Sequence, residues 1–176
     1  MLKLENVSYR YKNASNDVVK NVSAEYESGR LYSVVGPSGS GKTTLLSIMA
    51  GLDRPKSGKV TIEGDDLSFI DLDKYRRERV SMIFQAFHLF PHLTAIENVC
   101  MPMLMNGSDQ KKAAQTAVSL LESVDIDVST HKRYPSNLSG GEQQRVAIAR
   151  GLSTGAKVIF MALLRISGKL QGGIMN

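Results

Sequence analysis

Two glycine clusters in this chain have the residue types and spacing to grip phosphate. The first, Gly36-Pro37-Ser38-Gly39-Ser40-Gly41-Lys42-Thr43, fits the pattern G-x-x-x-x-G-K-[ST]. In that pattern the glycines let successive backbone amides wrap α- and β-phosphates. Lys42 would reach the β- and γ-phosphates, and the Thr43 hydroxyl would ligate Mg²⁺. The second cluster is Leu138-Ser139-Gly140-Gly141-Glu142-Gln143. Ser139 and Glu142 are spaced as a capping box, in which the hydroxyl accepts from a first-turn amide and the carboxylate reaches back. Capping needs no glycines, however, and bare backbone at Gly140 and Gly141 lets an anion approach the positive end of a helix.

The neighbouring segments must hold these clusters in place. Leu31-Tyr32-Ser33-Val34-Val35 predicts a strand running into Gly36, and Thr44-Leu45-Leu46-Ser47-Ile48-Met49-Ala50 predicts a helix stopped by Gly51. Gln143, Gln144, Arg145, Ala147, Ala149 and Arg150 are good helix formers and predict a helix from Glu142. Val80-Ser81-Met82-Ile83-Phe84 is a short apolar run followed directly by Gln85, and Lys157-Val158-Ile159-Phe160 predicts another buried parallel strand. Residues 1–30 and 58–64 alternate apolar and polar positions, as an antiparallel sheet would. Residues 88–137 read mainly helical. Ser108 or Asp109 is placed to cap a helix whose stripe is Ala113, Ala114, Ala117, Leu120 and Leu121, and Tyr134-Pro135-Ser136-Asn137 breaks the pattern.

Residues 138–143, running on through Gln144-Arg145-Val146-Ala147-Ile148-Ala149-Arg150, resemble the signature of the ABC ATPases. Paired with the phosphate loop, that resemblance is highly specific. It implies an α/β fold: a P-loop NTPase core with a parallel sheet, an antiparallel β subdomain and an inserted helical arm over about 88–150. It implies ATP and Mg²⁺ as ligands, contacted by Tyr11, Gly36, Ser38, Gly39, Ser40, Gly41, Lys42, Thr43 and Thr44. Ser139, Gly140 and Gly141 would meet the γ-phosphate of ATP held by the opposite subunit of a homodimer. By the same resemblance Tyr11 takes an adenine-stacking position, the competing reading being an ordinary half-buried sheet tyrosine. Gln85 corresponds to the family's Q-loop residue, sensing γ-phosphate or Mg²⁺ alongside Thr43. The apolar residues after it, Ala86-Phe87-His88-Leu89-Phe90-Pro91-His92-Leu93-Thr94, resemble the surface that receives a membrane partner's coupling helix. Met101-Pro102-Met103-Leu104-Met105 suits adaptable contacts or a core equally well.

The resemblance stops near Phe160. Where the family carries an Asp and then a general-base Glu, this chain has Ala162 and Leu163, and no Asp or Glu occurs from 157 to 176. His88, His92 and His131 all precede the position of the family's switch histidine and read as surface or loop residues. Residues 1–160 are therefore expected to form an incomplete ATP-binding domain lacking its C-terminal part, and 161–176 a non-matching tail. A changed reading frame or a naturally degenerate ATPase would each produce this pattern. The parallel sheet is expected to have an open edge and marginal stability.

Composition narrows the class. The chain has 176 residues, 42% hydrophobic, with a net charge of +5. Lys157, Arg165 and Lys169, in the acid-free tail, supply three of those charges. The basic run Lys74-Tyr75-Arg76-Arg77-Glu78-Arg79 reads as a solvated helix face, so nucleic acid is not an expected partner. Cys100 is the single cysteine, which excludes an intramolecular disulfide framework. No signal-peptide core and no run of 18 apolar residues is visible, so membrane association is expected through a separate permease, at the cytoplasmic face. These features point to the ATP-binding subunit of a transporter similar to the lipoprotein-release and macrolide- or peptide-export group, with hydrolysis near background. The rivals are a non-functional remnant and a soluble ABC ATPase, the latter disfavoured by the lack of tandem cassettes or long insertions.

Overall fold

In β1 (Leu2–Tyr9), alternation puts Leu2 and Leu4 on the buried face, and a left-handed Asn6 with φ 50° then shifts the register so that Val7 and Tyr9 are buried too. The computed structural model, which describes residues 1–84 and 86–161, sets this strand between two antiparallel neighbours. With β2 (Val19–Tyr26), β3 (Ser57–Ile62) and β4 (Asp65–Asp66) it forms a sheet of order β2-β1-β3-β4. The alternating segments at 1–30 and 58–64 thus form the antiparallel sheet their pattern predicts. Helix α1 (Lys42–Met49) lays Ile48 and Met49, each 1% exposed, into the same core, and Gly51 follows its end at φ 69°.

Helix α2 (Leu72–Glu78) starts at Asp71, whose carboxylate accepts from the amides of Asp73 and Lys74. The basic run is a solvated face at Lys74, Arg77 and Glu78, as read, but not along its whole length. Tyr75 is 2% exposed and its hydroxyl donates to the Met49 carbonyl at 2.8 Å. Arg76 donates to the Gly51 carbonyl and Arg79 pairs with Asp65. Charge composition concealed an aromatic anchor in the middle of the run.

β5 (Val80–Ile83) pairs in parallel with β6 (Val158–Met161), register Val80 to Val158 through Ile83 to Met161. The parallel pairing is as expected, but the burial is not. In β6 only Phe160 is buried, at 7%, while Ile159 and Met161 are 40% and 36% exposed. The predicted strand at 31–35 is absent: those residues have no regular structure, with Leu31 and Val35 exposed to 96% and 87%. A β-prone sequence becomes a strand only when a neighbour takes its amides and carbonyls, and among the described residues none pairs with it. Ala162, Leu163 and the rest of the tail lie outside the described residues, as does Gln85.

The helical arm comprises α3 (Ala95–Met105), α4 (Gln110–Ser123) and α5 (Gly140–Ser153), which enclose a second core. Asp109 caps α4 through the amides of Lys111 and Lys112, and Ala113, Ala117 and Leu121 are completely buried. Burying one leucine side chain contributes about 1.5–3 kcal/mol. Short turns at Val128–Thr130 and Pro135–Asn137 separate α4 from α5, the second where the Pro-Ser-Asn breaker lies. His131, expected on the surface or in a loop, lies in a turn but is buried. It is 4% exposed with Nε2 at 3.2 Å from the Ile126 carbonyl, and since that carbonyl can only accept, Nε2 carries the proton. Met103 is core, as one of the two readings of the methionine segment has it, whereas Met105 is 71% exposed. The Cys100 thiol is pushed up by burial and then by Glu97, which makes it an inert packing group.

Helix α5 joins the second core to β5. Its Gly151 has no room for a side chain, because a Cβ there would lie 3.0 Å from Ile83 Cδ1 and 3.1 Å from Ser81 Oγ. Gly151→Val is therefore expected to overpack the seam between α5 and β5 and to lower stability by roughly 1–3 kcal/mol. A urea midpoint that falls with an unchanged slope checks this. The helix caps carry a pH signature. Hydrogen bonds from Thr94 hold Glu97, and hydrogen bonds from Ser139 hold Glu142, below the ordinary value of 4.5. Folded values below unfolded ones mean that this contribution is intact above pH 4.5 and is lost as pH falls through the depressed values. Urea midpoints between pH 7 and 3 should fall along that acid limb in the wild type. The limb should be shallower after Glu97→Gln with Glu142→Gln.

Candidate functional site

The phosphate loop meets α1 at Gly41, a helix N-cap with φ 86° and no side-chain cap. Two constraints require glycine there. The left-handed backbone disfavours any L side chain, and a Cβ would sit 2.6 Å from the Val18 carbonyl oxygen. The first intrahelical bond runs from the Leu45 amide to the Gly41 carbonyl, so the amides of Lys42, Thr43 and Thr44 precede the ladder. Residues 36–40 and Thr43 are exposed. Lys42 Nζ donates to the carbonyls of Gly36 at 2.8 Å and Pro37 at 2.7 Å and to Ser40 Oγ at 3.3 Å. The lysine thus curls over the loop it serves.

Tyr11 lies beyond the end of β1 and is 48% exposed. Its hydroxyl is 2.8 Å from Thr44 Oγ1, and its ring meets Tyr9 edge-on with centroids 5.1 Å apart. An aromatic ring is therefore fixed beside the start of α1, half-exposed and outside any strand. Among the described residues no group of three His, Cys, Asp or Glu could hold a metal. Thr43 offers one hard oxygen next to the loop. That donor set fits Mg²⁺ arriving with phosphate oxygens and keeping its waters, rather than an ion caged by protein.

The second cluster forms the amino end of α5. Ser139 Oγ accepts from the Glu142 amide at 3.2 Å and Glu142 Oε2 accepts from the Ser139 amide at 2.6 Å, so the capping box is present. The first intrahelical bond runs from Gln143 to Ser139, leaving the amides of Gly140 and Gly141 ahead of the ladder. Both glycines are exposed, and a Cβ on Gly140 would meet nothing within 4 Å. Sterics do not require glycine here; what its absence of a side chain provides is access. Capping and open amides coexist at the same turn.

After β5 the chain turns sharply, with Phe87 and His88 both left-handed at φ 59° and 47°. Backbone of this kind costs on the order of 1–3 kcal/mol per residue and persists only where neighbours hold it. Two side chains that sequence reasoning did not single out act here. Arg150, on α5, donates from Nη1 to the His88 carbonyl at 2.7 Å and from Nη2 to the Phe87 carbonyl at 2.8 Å, with its guanidinium 5.8 Å from the Phe90 ring centroid. Asn98, on α3 and completely buried, accepts from the Phe90 amide and donates to the carbonyls of Phe90, Leu93 and Thr94. An asparagine inside an apolar helix face was the signal available for the second. Arg150 looked like one more helix-forming residue.

The loop borders an open groove of about 350 Å³. Its wall includes Met82, Phe84, Phe90, Met101, Pro102 and Met105, beside Arg150 from α5. The apolar loop and the methionine segment share this one surface.

A family model described as ABC transporter matches residues 19–161. The lipoprotein-releasing system ATP-binding protein LolD 1 of Chlorobium chlorochromatii is 44% identical over 81% of this chain and 59% of its own. The macrolide export ATP-binding/permease protein MacB of Burkholderia pseudomallei is 43% identical over 90% of this chain and 25% of its own. The chain thus spans less than two thirds of either relative. The dimeric post-hydrolysis structure of the ATP-binding cassette MJ0796 of Methanocaldococcus jannaschii, bound to ADP and Pi, superposes with a TM-score of 0.84 at 37% identity, over 92% of this chain and 73% of that one. Since the matched region runs through both glycine clusters and the helical arm between them, this chain belongs to the ABC transporter family, in the group of ATP-binding subunits that includes LolD and MacB.

Proposed function

We propose that this chain is the ATP-binding subunit of an exporter whose membrane path is a separate permease, and that it binds ATP between two copies of itself. One copy supplies Tyr11 for the adenine and Gly36, Ser38, Gly39, Ser40, Gly41, Lys42, Thr43 and Thr44 for the phosphates. The other supplies Ser139, Gly140 and Gly141. The observation that carries this reading is the pair of exposed helix starts on one chain, each opening at glycine and each with amides free of the helical ladder. A homodimer would bring one of each to a triphosphate. Mg²⁺ would supply charge neutralisation between phosphate oxygens, with Thr43 as a ligand and Gln85 as a second candidate.

The groove fits the partner side of the proposal. Its methionines and aromatic rings suit an amphipathic helix from a permease, which would place the subunit at the cytoplasmic face of the membrane. No described helix is long and apolar enough to cross a membrane. Residues 1–160 would form the ATP-binding domain, with the arm at about 88–150.

Hydrolysis is a separate matter. Ala162 and Leu163 stand where the family has its metal-organising Asp and its general-base Glu, and 157–176 contains neither acid. Removing a general base costs about 10²–10⁴ in rate. The proposed role is therefore nucleotide binding with turnover near background.

Equilibrium titration with a fluorescent ATP analogue, with and without Mg²⁺, tests the binding half. Saturable, Mg²⁺-enhanced binding that Lys42→Ala weakens at least about tenfold supports it, since a tenfold loss corresponds to 1.4 kcal/mol. Absence of saturable binding supports the non-functional remnant instead. Tyr11→Ala should weaken the analogue by about 1–3 kcal/mol while leaving inorganic triphosphate binding unchanged. ATP turnover by the purified chain that Lys42→Ala abolishes would contradict the hydrolysis-deficient reading.

A further inference from the structure

Helix α5 carries Gly140 and Gly141 at its start and Arg150 near its end, about 15 Å apart at 1.5 Å per residue. At the far end the guanidinium spans two consecutive carbonyls, Phe87 at 2.8 Å and His88 at 2.7 Å, with a separate nitrogen for each held in one plane, a fixed geometry that a lysine ammonium does not reproduce. These carbonyls belong to the two left-handed residues of the loop. Backbone bonds within the turn, Phe87 amide to Phe84 carbonyl and His88 amide to Ala86 carbonyl, close it locally but do not fasten it to a helix. The loop's later part is fastened elsewhere, by Asn98 of α3 at Phe90, Leu93 and Thr94. The two parts are thus tied to different helices. Among the described residues, the side chain that fastens 87–88 comes from α5 alone. Gly151 adds rigidity beside it, since its bare backbone presses α5 against Ile83 and Ser81 of β5.

We propose that Arg150 is a positioning residue that couples α5 to the groove-lining loop 86–90, so that the loop's shape follows the state of the glycine end of the helix. The idea rests on the function proposed above and deepens it. An anion on the Gly140 and Gly141 amides biases α5, α5 carries Arg150, and Arg150 moves or holds the carbonyls at 87 and 88. Phe90 and His88, on that loop, form part of the groove wall, so the partner surface changes with them. Arg150 touches no phosphate in this scheme.

Hydrogen–deuterium exchange of residues 86–90 tests it, in the wild type and in Arg150→Lys and Arg150→Ala, with and without a non-hydrolysable ATP analogue and Mg²⁺. In the wild type the analogue should slow exchange at 86–90 by about threefold or more, and the response should vanish in Arg150→Lys while the analogue's dissociation constant shifts by less than about threefold. Retention of the full response in Arg150→Lys overturns the proposal. So does joint loss of the fold or of nucleotide binding in both variants, since the bonds are then only structural. If the wild type binds the analogue and its loop does not respond, the coupling falls and the proposed function stands. If the wild type binds none, the proposed function falls, and the nucleotide-free comparison decides the tether. Arg150→Lys must then speed exchange at 86–90 about tenfold with 113–121 unchanged, and equal acceleration of both overturns it.

Discussion

A helix cannot satisfy its own first amides, and the arrangement of this chain follows from where it leaves them open. Elsewhere these groups are closed by side chains: Asp71 for α2, Thr94 for α3, Asp109 for α4. At α1 no side chain closes the end, because the cap is a glycine wedged against Val18. At α5 a serine and a glutamate close part of it while two glycines keep the rest uncovered. The same electrostatic need is met by side chains at three helices and left wholly or partly open at two.

Around those two ends the chain builds two separate cores. One joins the antiparallel sheet, α1, α2 and the edge of the parallel pair; the other joins α3, α4 and α5. Helix α5 belongs to the second core through Val146 and Ala149 and reaches β5 by pressing Gly151 against Ile83 and Ser81. A single helix therefore links that core to the parallel pair, with an uncovered start at one end and an arginine tether near the other. Its small residues at the contact give the crossing a fixed geometry.

What could be read from sequence divides along physical lines. Local signals were legible: the capping box at Ser139 and Glu142, the Asp109 cap, the stripe of Ala113, Ala117 and Leu121, and the alternation in β1 all depend on near neighbours. Features set by distant partners were not. The segment 31–35 has strand composition but finds no pairing neighbour among the described residues, and Tyr75 is an anchor only because Met49 offers its carbonyl. His131 is a loop residue as read, but its burial depends on the turn after Asp127 that folds it onto Ile126. Of the residues proposed to grip phosphate, 36–41 lie in the loop before α1, Lys42, Thr43 and Thr44 open that helix, and Ser139, Gly140 and Gly141 open α5, while the strand predicted to lead into the loop is missing. Asn98 and Arg150 escaped notice because their work is to hold backbone carbonyls, which carry no sequence label.

The curled posture of Lys42 makes occupancy of the loop an exchange reaction. Its ammonium already has oxygen partners at Gly36, Pro37 and Ser40, so an incoming anion displaces intramolecular ligands rather than filling a vacant charge. Any affinity for such an anion would be a difference between two hydrogen-bonded states of one cation. Such a competition selects for ligands that repay several lost donor contacts at once. A lone small anion trades carbonyls for little advantage, whereas a chain of linked phosphates also engages the amides behind the lysine, and this built-in internal competitor raises the threshold for binding.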